Sequence, residues 1–150
     1  MTESSINNDV HQPVYTIGVA AELLGVSVPT LRKYEDAHLI LPYRTESNHR
    51  RYSPKDIEIL TCVRSMIEDY GVSISGIGRL LALIPCWDIK ECRQEDRERC
   101  DAYYNEDIPC WSAKTKQGTC VEEECRVCPV YDKASNVSHL KEIIRESHAD

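Results

Sequence analysis

Residues 15–36, YTIGVAAELLGVSVPTLRKYED, hold two helical patterns on either side of a glycine. Ile17, Ala20, Ala21, Leu23 and Leu24 recur at helical spacing and predict one apolar face, on which the small alanines let a second helix approach closely. Gly25 predicts the stop, because glycine takes the left-handed conformation after a helix without steric cost. Ser27 fits an N-cap, and Pro29 falls in the first turn, where a missing N–H does no harm. Val28 and Leu31 then turn inward. That leaves Thr30, Arg32, Lys33 and Tyr34 as the hydrogen-bonding set of a short helix after a tight turn, the layout of a helix-turn-helix recognition helix.

The following residues, HLILPYRTESNHRRYSPKDIEIL from His38 to Leu60, extend the reading. Leu39 and Ile40 predict a short strand that Pro42 breaks, and Thr45 to Asn48 predict a loop returning into His49-Arg50-Arg51-Tyr52 as a hairpin wing. Ser53 and Pro54 then start a helix, with Asp56 at the favourable end of its dipole and Ile57, Leu60, Val63 and Ile67 along its core face. Gly71 ends it. Ser73 or Ser75 caps a further helix carrying Ile74, Ile77, Leu80 and Leu81. In order and spacing, these motifs resemble the N-terminal winged helix-turn-helix of the MerR family of transcription regulators, over residues 15 to about 84.

That resemblance implies double-stranded DNA as partner, with Thr30, Arg32 and Tyr34 on the recognition helix and Arg44, Arg50 and Tyr52 at wing positions that grip the backbone. Lys33, His49 and Arg51 complete the expected DNA-binding set. Lys33 stands where the family more often has an aromatic, and His49 where a tyrosine is frequent, which leaves the operator sequence open. The resemblance further implies a homodimer, a pseudo-palindromic operator, RNA polymerase at the promoter, and regulation by deforming the promoter spacer.

The net charge of −7 is unfavourable for nucleic acid taken over the whole chain, but Arg44, Arg50, Arg51 and Lys55 cluster beside the single acid Glu46. No apolar run approaches the ~18 residues of a membrane span, and the N-terminal residues carry no signal-peptide pattern, so a cytoplasmic, membrane-free location is expected. Scattered histidines and the lack of a phosphate-loop or Ser/His/Asp spacing argue against an enzyme.

In a reducing compartment, thiols at short spacings more often hold metal than form disulfides. Of the eight cysteines, Cys62 stands alone on the apolar side of a helix and reads as a small buried hydrophobe. The other seven fall in two units that each open IPCW and close C-x-[AV]-Y. One runs through Cys86, Cys92 and Cys100 to Tyr103; the other through Cys110, Cys120, Cys125 and Cys128 to Tyr131. With so few aliphatic residues this stretch needs a partner or a metal to hold it, so all seven are expected as metal ligands, covered by Trp and Tyr rings. The stretch resembles the cysteine-rich two-CW domains attached to various bacterial regulators.

Four thiolates suit tetrahedral zinc or an iron–sulfur cluster. The irregular spacings match neither zinc knuckles nor ferredoxin runs, and tryptophans beside the cysteines could shield a cluster, so iron–sulfur is favoured over zinc, with a disulfide switch third. Cys92-x7-Cys100 has the spacing of copper-sensing MerR members, but here it follows the head directly and not a long dimerisation helix. The expected fold is mainly α. Residues 1–13 form a disordered tail, 14–84 a winged helix-turn-helix head, 85–131 a metal- or cluster-stabilised Cys-rich module, and 132–150 a C-terminal helix. In that helix Val137, Leu140, Ile143 and Ile144 make an apolar stripe, with Ser138 as cap, for pairing with a second copy or packing on the module. The expected function is a transcription regulator whose module senses redox or metal status. The alternative is a thiol or cluster redox protein that uses the head as a docking adaptor.

Overall fold

The computed structural model describes residues 10–113, 120 and 124–147. β1 (Tyr15–Thr16) leads into α1 (Ile17–Leu24), which Thr16 caps by accepting from Val19 N at 3.3 Å. Gly25, at φ 69°, ends α1 in the left-handed region, and Gly71 does the same at φ 68° for the helix over residues 54–70. α2 (Val28–Asp36) starts on the Ser27 hydroxyl, which accepts from Thr30 N at 3.2 Å. β2 (Tyr43–Arg44) and β3 (Arg50–Tyr52) form the wing, and β3 pairs on its other edge with β1, giving an antiparallel sheet in the order β1-β3-β2. Leu39 and Ile40 do not form the expected strand. Both are buried, because the chain there crosses the core instead of lying along a sheet edge.

α3 (Pro54–Tyr70) opens with a full capping box: Asp56 N donates to Ser53 Oγ at 3.1 Å, and Ser53 N donates to Asp56 Oδ2 at 2.9 Å. Its buried face is Ile59, Leu60, Val63 and Met66, while the expected Ile57 and Ile67 flank that face half-buried. α4 (Ile74–Ala82) is capped by Ser73, not Ser75. Leu23, expected inside α1, is 56% exposed, so Ala20, Ala21 and Leu24 are that helix's buried residues, with Ile17 packed half-buried against the core.

Beyond Ile84 come short pieces: α5 (Cys86–Ile89), α6 (Gln94–Glu98), α7 (Asp101–Tyr104), single 3-10 turns at Cys110–Ser112 and Cys125–Val127, α8 (Pro129–Lys133), a 3-10 segment Ala134–His139, and α9 (Leu140–Ser147). The expected small module does not keep a core to itself. Trp111, Val130, Tyr131, Ala134, Val137 and Ile143 join the same buried cluster as Leu31, Leu60 and Ile77 of the head. The 3-10 segment lies against α3, so the C-terminal stripe divides: Val137 and Ile143 are buried, Leu140 is half-buried and Ile144 is exposed. The helix capped by Ser138 gives way to a 3-10 turn that runs on into α9.

Residues 10–13, expected in a disordered tail, are tied down. Lys55 N donates to the Val10 carbonyl at 2.8 Å, and His11 Nε2 stands 2.8 Å from Asp132 Oδ1. Residues 1–9 of that tail, 114–119 and 121–123 of the expected module, and 148–150 of the C-terminal helix lie outside the described residues.

Candidate nucleic-acid interface and thiol cavity

The recognition helix and the wing meet in one open cleft of about 360 Å³, lined by Thr16, Ile17, Arg32, Asn48, His49, Arg50 and Arg51. Arg32 and Lys33 are exposed on α2, and Arg44 and His49 on the wing. Thr30 is half-buried, with its hydroxyl 2.9 Å from Ser27 Oγ. The cleft therefore unites Arg32, His49, Arg50 and Arg51 of the expected DNA-binding set. Tyr34 and Tyr52 do not belong to that surface: they are 5% and 0% exposed. Burial raises both phenol pKa values, so the two rings stay neutral and support the cleft from beneath.

Sequence reasoning missed Glu35, at the end of α2. Its carboxylate accepts from Arg44 Nη2 at 3.1 Å, from Arg50 Nε, and from Tyr52 Oη at 3.3 Å. One buried-side acid thus fastens both wing strands to the recognition helix. The hydrogen bond from Arg50 to Glu35 is also the main reason the Arg50 guanidinium pKa is raised. The only hint in the sequence was an acid three residues after Arg32, a spacing too common to single out.

The seven cysteines Cys86, Cys92, Cys100, Cys110, Cys120, Cys125 and Cys128 all line a single cavity, with Trp87, Tyr103, Trp111 and Tyr131 among its other walls. Its interior is about 30 Å³, and about 10–15 Å³ already holds a water. The sequence repeat is also a structural one. In the first unit Trp87 meets Tyr103 edge to face at 5.1 Å and 83°; in the second Trp111 meets Tyr131 at 4.9 Å and 87°. The outer pair borders solvent, with Tyr103 exposed, whereas the inner pair is buried against the head.

The two cysteines that open the units, Cys86 and Cys110, hydrogen-bond each other. That bond lowers the Cys86 pKa and, together with burial, holds the Cys110 thiol well above its ordinary value. Burial also raises Cys128 and pushes Cys120 up to about 11. Among the described residues, no group of three or more His, Cys, Asp or Glu stands close enough together to hold a metal ion. The donor chemistry is that of a soft metal, but the thiols encircle a space and do not crowd one point. Cys62 is half-buried outside the cavity, 3.6 Å from Ser138 Oγ, so it is not the fully buried residue expected.

Between cavity and head run contacts that the sequence did not indicate. Trp111 Nε1 donates to the His38 carbonyl at 3.0 Å, and Leu41 N donates to Tyr131 Oη at 2.9 Å. Tyr131 Oη in turn donates to Asp56 Oδ1 at 2.6 Å. Arg126, inside the Cys125-x2-Cys128 turn, lies 4.5 Å above the Tyr43 ring.

The capped helix pair, the two-stranded wing and the basic cleft between them define a winged helix-turn-helix domain. Residues 15–84 match the family model of MerR HTH family regulatory proteins, and the N-terminal domain is of that type. Over 71 residues the chain is 45% identical to heat shock protein HspR of Streptomyces coelicolor, covering 47% of each chain. Over 68 residues it is 44% identical to heavy metal-dependent transcription regulator 2 of Rhizobium meliloti, covering 45% of this chain and 46% of that one. It is 31% identical to the HTH-type transcriptional regulator GlnR of Bacillus anthracis over 71 residues, 47% of this chain and 54% of the relative. The chain spans about half the length of these relatives. No helix among the described residues is long and apolar enough to cross a membrane.

Proposed function

We propose that this chain is a cytoplasmic DNA-binding transcription regulator of MerR type, acting as a homodimer at promoters served by RNA polymerase. Its Cys-rich module would hold a metal or an iron–sulfur cluster and report redox or metal status. The observation that carries the DNA reading is the single cleft joining Arg32 on the recognition helix to His49, Arg50 and Arg51 on the wing. Arginines so placed neutralise phosphates and fix register, leaving base edges to the exposed part of α2. The similarity of the head to HspR, GlnR and a heavy metal-dependent regulator supports the same assignment.

For the module, the support is that all seven cysteines of the two units line one cavity. A lone zinc ion draws four ligands to about 2.3 Å from one point. Thiols arrayed around a space suit the corners of a multi-metal cluster better, which favours iron–sulfur. Such a group supplies one-electron chemistry tuned by solvent exposure and nearby hydrogen bonds. This chain's own contribution is Cys86, Cys92, Cys100, Cys110, Cys120, Cys125 and Cys128 as ligands, with Trp87, Tyr103, Trp111 and Tyr131 keeping water out.

Two measurements test the proposal. Oxygen-free purification followed by an absorption spectrum and analysis of iron, sulfide and zinc separates a cluster, expected here, from zinc; protein that takes up neither sinks the metal reading. Duplexes selected from a random pool should bind with a steep salt dependence. Each phosphate contact removed by Arg32→Ala or Lys33→Ala should lower the log–log slope by about 0.9. Unchanged affinity and slope in both variants would leave the adaptor alternative standing.

A further inference from the structure

We infer that Trp111, Tyr131 and Arg126 form a link through which the state of the thiol cavity sets DNA affinity, by gripping residues 38–43 between the recognition helix and the wing. This rests on the reading of the head as DNA-binding and of the cavity as the responsive site. The segment they grip decides how α2 and the wing face one another. It begins at His38, a non-glycine residue at φ 65°, a backbone state that costs free energy and persists only when its surroundings hold it. Trp111 holds it, through the indole N–H on the His38 carbonyl at 3.0 Å.

Three residues on, the Leu41 N–H is satisfied by the Tyr131 hydroxyl, which donates its own hydrogen bond to Asp56 in the capping box of α3. The segment ends at Tyr43, under Arg126. Tyr43 is paired in the wing with Arg51, and its neighbour Arg44 with Arg50, so a displacement here carries the wing arginines with it. Trp111 and Tyr131 themselves wall the cavity, and Arg126 stands between two of its cysteines. The edge-to-face contact of the two rings makes them move together. A change in the size or charge of what the thiols enclose therefore reaches both ends of the segment at once. What moves is the spacing between Arg32 and the Arg50–Arg51 strand across the cleft.

Coupling of this kind is reciprocal: if the cavity alters DNA binding, bound DNA must alter the cavity. The test uses the full-length reduced protein in a Cys62→Ser background, so that only the cavity thiols report. The probe is an aromatic disulfide reagent: a cysteine thiolate attacks its S–S bond, forms a mixed disulfide and releases the coloured aromatic thiolate. In the otherwise wild-type chain, a duplex selected from the random pool should change the equilibrium constant of this exchange, measured against added aromatic thiolate, by about fivefold or more, the low end of ordinary coupling. In Tyr131→Phe, which keeps the ring but loses both hydrogen bonds of the hydroxyl, the ratio should fall toward one.

An unaltered equilibrium constant in the wild-type chain with duplex bound overturns the inference, and so does a variant that keeps the wild-type ratio. Should Tyr131→Phe fail to fold, Trp111→Phe and Arg126→Met are judged by the same ratio. A wild-type chain that retains no duplex refutes the DNA reading itself. One that binds duplex but takes up no metal refutes the metal reading, and the thiol exchange equilibria still decide the link.

Discussion

Tyr131 and Asp56 share a buried 2.6 Å hydrogen bond across 75 residues of sequence. Asp56 closes the capping box of α3, so the last residue of the second cysteine unit completes the start of the longest helix in the head.

The first prediction concerns stability. Tyr131→Phe leaves the Leu41 N–H and one Asp56 oxygen without their partner, and a buried unsatisfied polar group costs about 1–3 kcal/mol. A double-mutant cycle with Asp56→Asn, followed by urea unfolding, should return a coupling of about 0.5–3 kcal/mol. Additive losses would mean that the two side chains do not depend on each other.

The second concerns pH. Burial raises the Asp56 carboxyl pKa above 3.8, against the lowering effect of the hydrogen bonds from Tyr131 and Ser53. The folded chain thus keeps this proton at a pH where the unfolded chain has lost it. Its contribution to stability is full below the unfolded value and is lost as pH rises through the folded one. Asp56→Asn, which does not titrate, should gain on the wild type between about pH 3.5 and 7 in paired thermal melts. A difference that stays level across that range contradicts the assignment.

The third concerns Glu35. Glu35→Gln keeps the size but loses the charge that holds Arg44 and Arg50. Freed arginines still reach phosphates, so affinity for random duplex should hold or rise while affinity for the selected duplex falls. Competition titrations should show the ratio of the two narrowing by about tenfold, equivalent to roughly 1.4 kcal/mol. An equal loss on both duplexes would make Glu35 a general fold residue.

The fourth separates the two repeats. Trp111 is 5% exposed and hydrogen-bonded to the head, whereas Trp87 is only half-buried. Trp111→Phe should therefore lower the midpoint of thermal unfolding clearly more than Trp87→Phe, by several degrees at about 2–4 °C per kcal/mol. Equal shifts would indicate that the units carry equal structural weight.

How legible was all this in the chain? The head was, because its signals are local: Gly25, Ser27, Pro29, Ser53 and Gly71 each mark a helix end by their own backbone chemistry, and the structure uses each there. The strand expected at Leu39-Ile40 failed because a short apolar run looks the same whether it pairs in a sheet or crosses a core. Tyr34 and Tyr52 occupy DNA-contact positions of the motif, but position in a motif says nothing of burial, and both rings lie in the core. In the cysteine units, the shared cavity and the Trp–Tyr pairs follow the repeat. The bonds from Trp111 to His38 and from Tyr131 to Asp56 join residues 73 and 75 positions apart, and no local pattern encodes them.

The core shared across Ile84 has a consequence for how such a chain diversifies. A regulator built from separable parts can exchange one sensor for another by recombination at the linker. Here a break after Ile84 would strip Val130, Tyr131, Ala134 and Val137 from the cluster that also holds Leu60 and Ile77, and would take from the Leu41 amide and from Asp56 Oδ1 the hydroxyl they share. Head and cysteine units therefore pack as one piece, and exchanging either half alone would have to replace the contacts that Tyr43 makes with Arg126 and Asp56 with Tyr131.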